Sequence, residues 1–98
     1  MLKTASLIDQ VGAAGARKEI SMIKALVPSM LTTVADRAIQ AVGAMGISPD
    51  TPLANIYTDG RSLRFADGPD EVHLRVIGRA ELGQSNQRRA SLQQYLAA

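Results

Sequence analysis

Cysteine is absent from the chain, which excludes a disulfide framework, a thiolate metal site and a cysteine nucleophile. Aromatic residues number three, so there is no platform on which nucleic-acid bases would stack. Charge of one sign is equally scarce. Eleven basic against nine acidic residues leave a net +2, too little to drive binding to a phosphate backbone by charge alone, and nucleic acid is not an expected partner. No run approaches the roughly eighteen consecutive apolar residues of a membrane span, and Met1-Leu2-Lys3-Thr4 does not open a secretory signal. The expected location is cytoplasmic. With 98 residues the chain makes one small domain at most, burying roughly 60–65% of its unfolded surface, so it depends on tight packing or on a partner.

What is present favours helices. Hydrophobic residues make up 46% of the chain, and with so few aromatics the core is built from Ala, Leu, Ile and Met. Leu2, Ala5, Leu7, Ile8 and Val11 form a first stripe that fades at Gly12-Ala13-Ala14-Gly15, where each glycine costs about 1 kcal/mol in a helix interior; the helix is expected to stop or bend there. Ile20, Ile23, Val27, Leu31, Val34, Ala38 and Val42 then repeat every three or four residues, the pattern of an amphipathic helix. Pro28 interrupts this helix without shifting its phase, which predicts a kink and not an end. Met22, Met30 and Met45 lie on or near the stripe and read as core fillers. Gly43 and Gly46 supply the positive-φ ending helices favour. Thr51 is expected to cap a third helix from Pro52, weakened at Gly60. A last helix follows Gly68-Pro69, with Asp70 and Glu71 in its first turn and Arg75 and Arg79 beyond, in keeping with the helix dipole. No period-two alternation of strand length occurs. The fold class is all-α, an up-and-down helical bundle.

Chemistry-bearing residues are few. Asp67 stands just before the last helix, and pattern alone reads it as a cap; the competing reading is a general base. His73 is the lone histidine and reads as a surface or hydrogen-bonded group, with no second metal ligand at helical spacing. No nucleophile elbow accompanies the serines and threonines, so hydrolase chemistry has no support. Arg61, Arg64, Arg75 and Arg79 read as solvated partners of nearby acids in preference to a phosphate clamp. The Gln40 amide suits an adenine or a backbone strand equally.

Two blocks taken together carry more. Asp36-Arg37-Ala38-Ile39-Gln40-Ala41-Val42-Gly43-Ala44-Met45-Gly46, followed by Arg64-Phe65-Ala66-Asp67-Gly68-Pro69-Asp70-Glu71-Val72-His73, resembles the C-terminal helical domain of flavin-dependent acyl-CoA dehydrogenases. The resemblance runs from about Leu2 to Leu82. It implies a domain over residues 2–83 and leaves 84–98 as a polar tail, with at most a short terminal helix. It also implies that this is the C-terminal piece of an enzyme whose N-terminal helical domain and central β-domain lie elsewhere.

By that resemblance Gln40, Gly43 and Ala44 touch the FAD of a neighbouring subunit, with Ala44 in place of a common second glycine. Asp67 matches the base that removes the α-proton of the acyl thioester, Gly68 lines the acyl-CoA site, and Pro69, Asp70 and Glu71 pack against flavin. The implied partners are acyl-CoA, an electron-transfer flavoprotein-type acceptor and further copies of the chain in a homo-oligomer; no metal is implied. An Asp has an unperturbed pKa of ~3.9 and needs an apolar pocket to act as a base on carbon, so this reading expects Asp67 beside a cavity. The rival reading is a non-catalytic helical module that dimerises through the stripe from Ile20 to Val42.

Overall fold

The computed structural model describes residues 1–97. They form α1 (Leu2–Gly15), α2 (Arg17–Val42), a 3₁₀ turn (Ala44–Ile47), α3 (Leu53–Ser62) and α4 (Asp70–Ala97), with no strand among the described residues. This is the all-α architecture the sequence predicts. Helix α1 breaks its regular geometry at Gly12, φ 78°, as the paired glycines anticipate. The chain then folds back at Ala16, which is fully buried, and Thr4 and Ile8 of α1 come to line a groove with Ile20 and Ile23 of α2.

Helix α2 is the spine: α1, α3, α4 and the 3₁₀ turn all pack on it, and neither α3 nor α1 touches α4. Pro28 sits inside it without ending it, because the surrounding turns keep their bonds and Thr32 and Thr33 add hydroxyl bonds to the Pro28 and Ser29 carbonyls. Going along the chain, Gly46 meets Ile39, Gly60 meets Leu31 and Thr32, Lys24 Nζ donates to the Leu63 carbonyl, and Glu81 meets Lys18. The α2 partners fall in number as the chain advances, so α3 and α4 run antiparallel to α2, one after the other. A 28-residue helix spans about 42 Å. Helix α4 therefore runs on past the start of α2, which gives the molecule its 68 Å long axis.

The predicted stripe is only partly the buried face. Ile20, Ile23, Val27, Leu31 and Ala38 are half-buried, whereas Val34 and Val42 are exposed. The most buried positions of α2 are Ser21, Pro28 and Ala35, spaced by seven, because neighbouring helices press closest where side chains are small. Met22, Met30 and Met45 are exposed, not core, and Met22, Leu26, Met30 and Val34 make an apolar row on the outer side of α2. Ala16 and Ala35 are the buried hydrophobic residues, and no large side chain is fully enclosed.

Other local expectations need correction. Gly43 has the predicted positive φ of 84°, but Gly46 does not; it is needed for close approach, since a Cβ there would stand 2.9 Å from Ile39 Cα. Thr51 does not cap α3, whose first residue is Leu53; its hydroxyl turns back to the Met45 and Gly46 carbonyls. Gly60 does not weaken α3 but lets it settle on α2, where an added Cβ would lie 3.1 Å from Leu31 Cδ2. The segment from residue 84 to 97 continues α4 without a break.

Two predictions follow from this packing. Gly46→Ala forces the 3₁₀ turn off the α2 backbone, an overpacking cost of about 1–3 kcal/mol, and lowers Tm by several degrees in a thermal melt. Glu81 carries a pKa held below its ordinary 4.5, chiefly by the hydrogen bond from Lys18 and next by that from Arg88. A depressed folded-state value adds stability that is present above pH 4.5 and lost as pH falls through the lower value. Urea midpoints measured across that window should fall more steeply in the parent than in Glu81→Gln.

Candidate functional site

The stretch between α3 and α4 is a turn fixed at both ends and in the middle. Its entry is held by Lys24, whose ammonium lies on the Leu63 carbonyl at the C-terminal end of α3, the pole that favours a cation. Backbone bonds from Phe65 and Ala66 to the Ser62 carbonyl close one further turn, and Arg61 lies 4.7 Å over the Phe65 ring. The chain then takes two left-handed residues in succession, Asp67 at φ 54° and Gly68 at φ 103°. Gly68 adopts this freely; for Asp67 it costs of order 1–2 kcal/mol. Two contacts offset that cost. Arg64 Nε bonds Asp70 Oδ2 at 2.6 Å across the mouth of the turn, and His73 Nε2 donates to the Asp67 carbonyl at 3.2 Å. A neutral hydrogen bond contributes about 0.5–1.5 kcal/mol net, comparable with the strain it opposes.

The Asp67 carboxylate itself is exposed and makes no hydrogen bond or ion pair among the described residues. The cap predicted from pattern is therefore not formed: α4 begins only at Asp70, three residues on, and its first-turn acidic residues are Asp70 and Glu71. Of the two, Asp70 is committed to Arg64, with its side chain 14% exposed, and its second oxygen, Oδ1, is buried without a partner. Glu71 and Pro69 are exposed. The expected pairing of the arginines with nearby acids holds for Arg64.

The other segment lies at the far end of α2. Gln40 and Ala44 are exposed, and no hydrogen bond engages the Gln40 amide among the described residues. Gly43 donates its N–H to the Ile39 carbonyl at 2.8 Å, and a Cβ added to it would meet nothing within 4 Å. The 3₁₀ turn packs on α2 and α3 but not on α4, so within one chain the Gln40–Gly46 segment and the start of α4 do not share a pocket.

The cavity expected beside Asp67 is not one of the two grooves between α1 and α2, neither of which Asp67 lines. One groove of about 750 Å³ is lined by residues such as Thr4, Leu7, Ile23 and Val27. One chain presents the turn on its surface and provides nothing to cover it. Pattern reading missed the pins of the turn. Arg64 and Asp70 bracket Asp67 at three residues on either side, and His73 follows one helical turn after Pro69, a spacing that could have marked them as its supports.

Comparison with known proteins settles the lineage. Residues 1–82 match the model of the acyl-CoA dehydrogenase C-terminal domain. The chain belongs to the acyl-CoA dehydrogenase family. It is 57% identical over 81 residues to acyl-CoA dehydrogenase family member 11 of Rattus norvegicus, covering 83% of this chain and 10% of that protein. It is 56% identical over 80 residues to FadE2 of Mycobacterium tuberculosis, described as an acyl-CoA dehydrogenase, covering 82% of this chain and 20% of the relative. Among solved structures, one described as an acyl-CoA dehydrogenase from Mycobacterium abscessus superposes with a TM-score of 0.80 at 48% identity, over 83% of this chain and 20% of its own. The chain thus spans a tenth to a fifth of the length of these three relatives. Among the described residues no helix is long and apolar enough to cross a membrane.

Proposed function

We propose that this chain is the base-bearing C-terminal domain of a flavin-dependent acyl-CoA dehydrogenase, with Asp67 removing the α-proton of the acyl thioester during α,β-dehydrogenation. The observation that carries the proposal is the turn itself: an unpaired carboxylate held in a left-handed conformation by an ion pair and a histidine bond.

The residues fit a bound flavin nucleotide. Gln40 offers an unengaged amide, Gly43 offers backbone with open space before it, and Ala44 stands exposed beside them. Next to the base, Asp70 Oδ1 is a buried acceptor in want of a donor. The two segments do not meet within one chain, which agrees with a homo-oligomer in which Gln40, Gly43 and Ala44 hold the FAD of one site while Pro69, Asp70 and Glu71 serve another. When bound, FAD supplies the hydride acceptor. Asp67 takes the α-proton onto a carboxylate oxygen, and Gly68, lacking a side chain, lets the thioester approach the turn. Asp67 is exposed in the single chain, and in this reading the remaining domains and the acyl chain exclude water from it. Acyl-CoA is the substrate of this reading, with an electron-transfer flavoprotein-type acceptor as its redox partner.

The rival reading, a non-catalytic module joining copies through α2, draws on the exposed row of Met22, Leu26, Met30 and Val34. One comparison separates the two. In the complete enzyme, Asp67→Asn lowers acyl-CoA dehydrogenation with an artificial acceptor by about 10²–10⁴-fold, the usual worth of a general base, and retains flavin; unchanged turnover favours the module. The isolated 98-residue chain, holding at most one wall of the site, purifies without flavin absorbance, and a stoichiometric flavin spectrum would contradict that.

A further inference from the structure

We propose that His73 is a positioning residue for Asp67, a role that rests on the reading of Asp67 as the base. A carbonyl oxygen only accepts, so the 3.2 Å contact with Asp67 O requires a proton on His73 Nε2. The bond is then present in the neutral Nε2–H tautomer and in the imidazolium alike. The ring is half-buried beside the left-handed pair, with Nε2 3.5 Å from where a Gly68 Cβ would stand. It sits in the first turn of α4, and its own N–H bonds the Pro69 carbonyl. His73 thus ties the peptide plane that follows Asp67 to the rigid start of α4.

Holding that plane, with Asp67 kept at φ 54°, narrows the directions its Cα–Cβ bond can take and with them the arc its carboxylate can sweep. Arg64 and Asp70 close the mouth of the turn but make no hydrogen bond to the Asp67 peptide. The histidine bond is the contact that reaches it. An aspartate has a short arm, so the base of this site is aimed by its backbone more than by its rotamer. A shift of about 1 Å at a reacting centre costs around 10²-fold in rate.

The test uses the complete enzyme and three variants. His73→Leu removes the donor and keeps bulk; His73→Gln places an amide N–H where Nε2 stood; Asp67→Asn removes the base. The expected result is a kcat about 10²-fold lower for His73→Leu with KM within about twofold, and recovery of most of the loss in His73→Gln. Parental kcat in His73→Leu, or equal losses in the Leu and Gln variants, overturns the positioning role while leaving the base reading intact. If Asp67→Asn retains turnover, the base reading fails. The local geometry is then judged on the 98-residue chain by NMR: long-range ¹⁵N–¹H correlations report the Nε2–H tautomer, and the strong intraresidue HN–Hα contact of a left-handed Asp67 persists in His73→Gln and disappears in His73→Leu. Loss of that contact in neither variant overturns the proposal.

Discussion

The close approach of α3 and the 3₁₀ turn to the backbone of α2 is the constraint on which everything else depends. It is made by omission of side chains. Gly46 sits against Ile39, Gly60 against Leu31 and Thr32, and α2 is most buried at Ser21, Pro28 and Ala35. With so few large residues enclosed, the stabilising burial is spread thinly over many half-covered aliphatic chains, and the packing is unforgiving at the points where backbone meets side chain. Because α3 is seated by Gly60, its C-terminal end falls within reach of Lys24, and the turn carrying Asp67 starts from a fixed place.

Much of this was legible in the sequence. Four helices, the bend at Gly12, passage through Pro28, the positive φ of Gly43 and the acidic start of α4 all follow from local chemistry, which depends on neighbours in sequence. What was not legible depends on neighbours in space. Spacing identifies which residues share a face but not how near the facing helix comes, so small residues at 21, 28 and 35 went unread as the contact line, and Val34 and Val42 were assigned to the buried stripe. Thr51 is the same lesson on a smaller scale: its hydroxyl found two carbonyls of the preceding turn before it could serve the helix ahead. The tail from residue 84 has the composition of a frayed end, yet nothing in it breaks a helix, and α4 simply continues.

The site was readable in its residues and unreadable in its geometry. Pattern alone assigned Asp67 to capping, a role the left-handed backbone denies it. The family resemblance favoured the competing reading as a base, and the structure adds how the turn is pinned: Arg64 to Asp70 at its mouth, His73 to the Asp67 carbonyl within. These contacts spend an ion pair and a histidine on holding an exposed carboxylate in a strained conformation. Strain retained at one residue and supported by two contacts is a feature of functional sites. On the proposed function, the apolar row along α2 and the uncovered Asp67 are both surfaces that the remaining domains of the enzyme would cover.

The account stands most directly on where the Asp67 carboxylate lies when substrate is present. A crystal structure of the complete enzyme with an acyl-CoA analogue should show an Asp67 oxygen about 3–3.5 Å from the substrate α-carbon, with the left-handed turn and both of its supports retained. A structure in which the thioester is bound elsewhere and Asp67 faces solvent would contradict it.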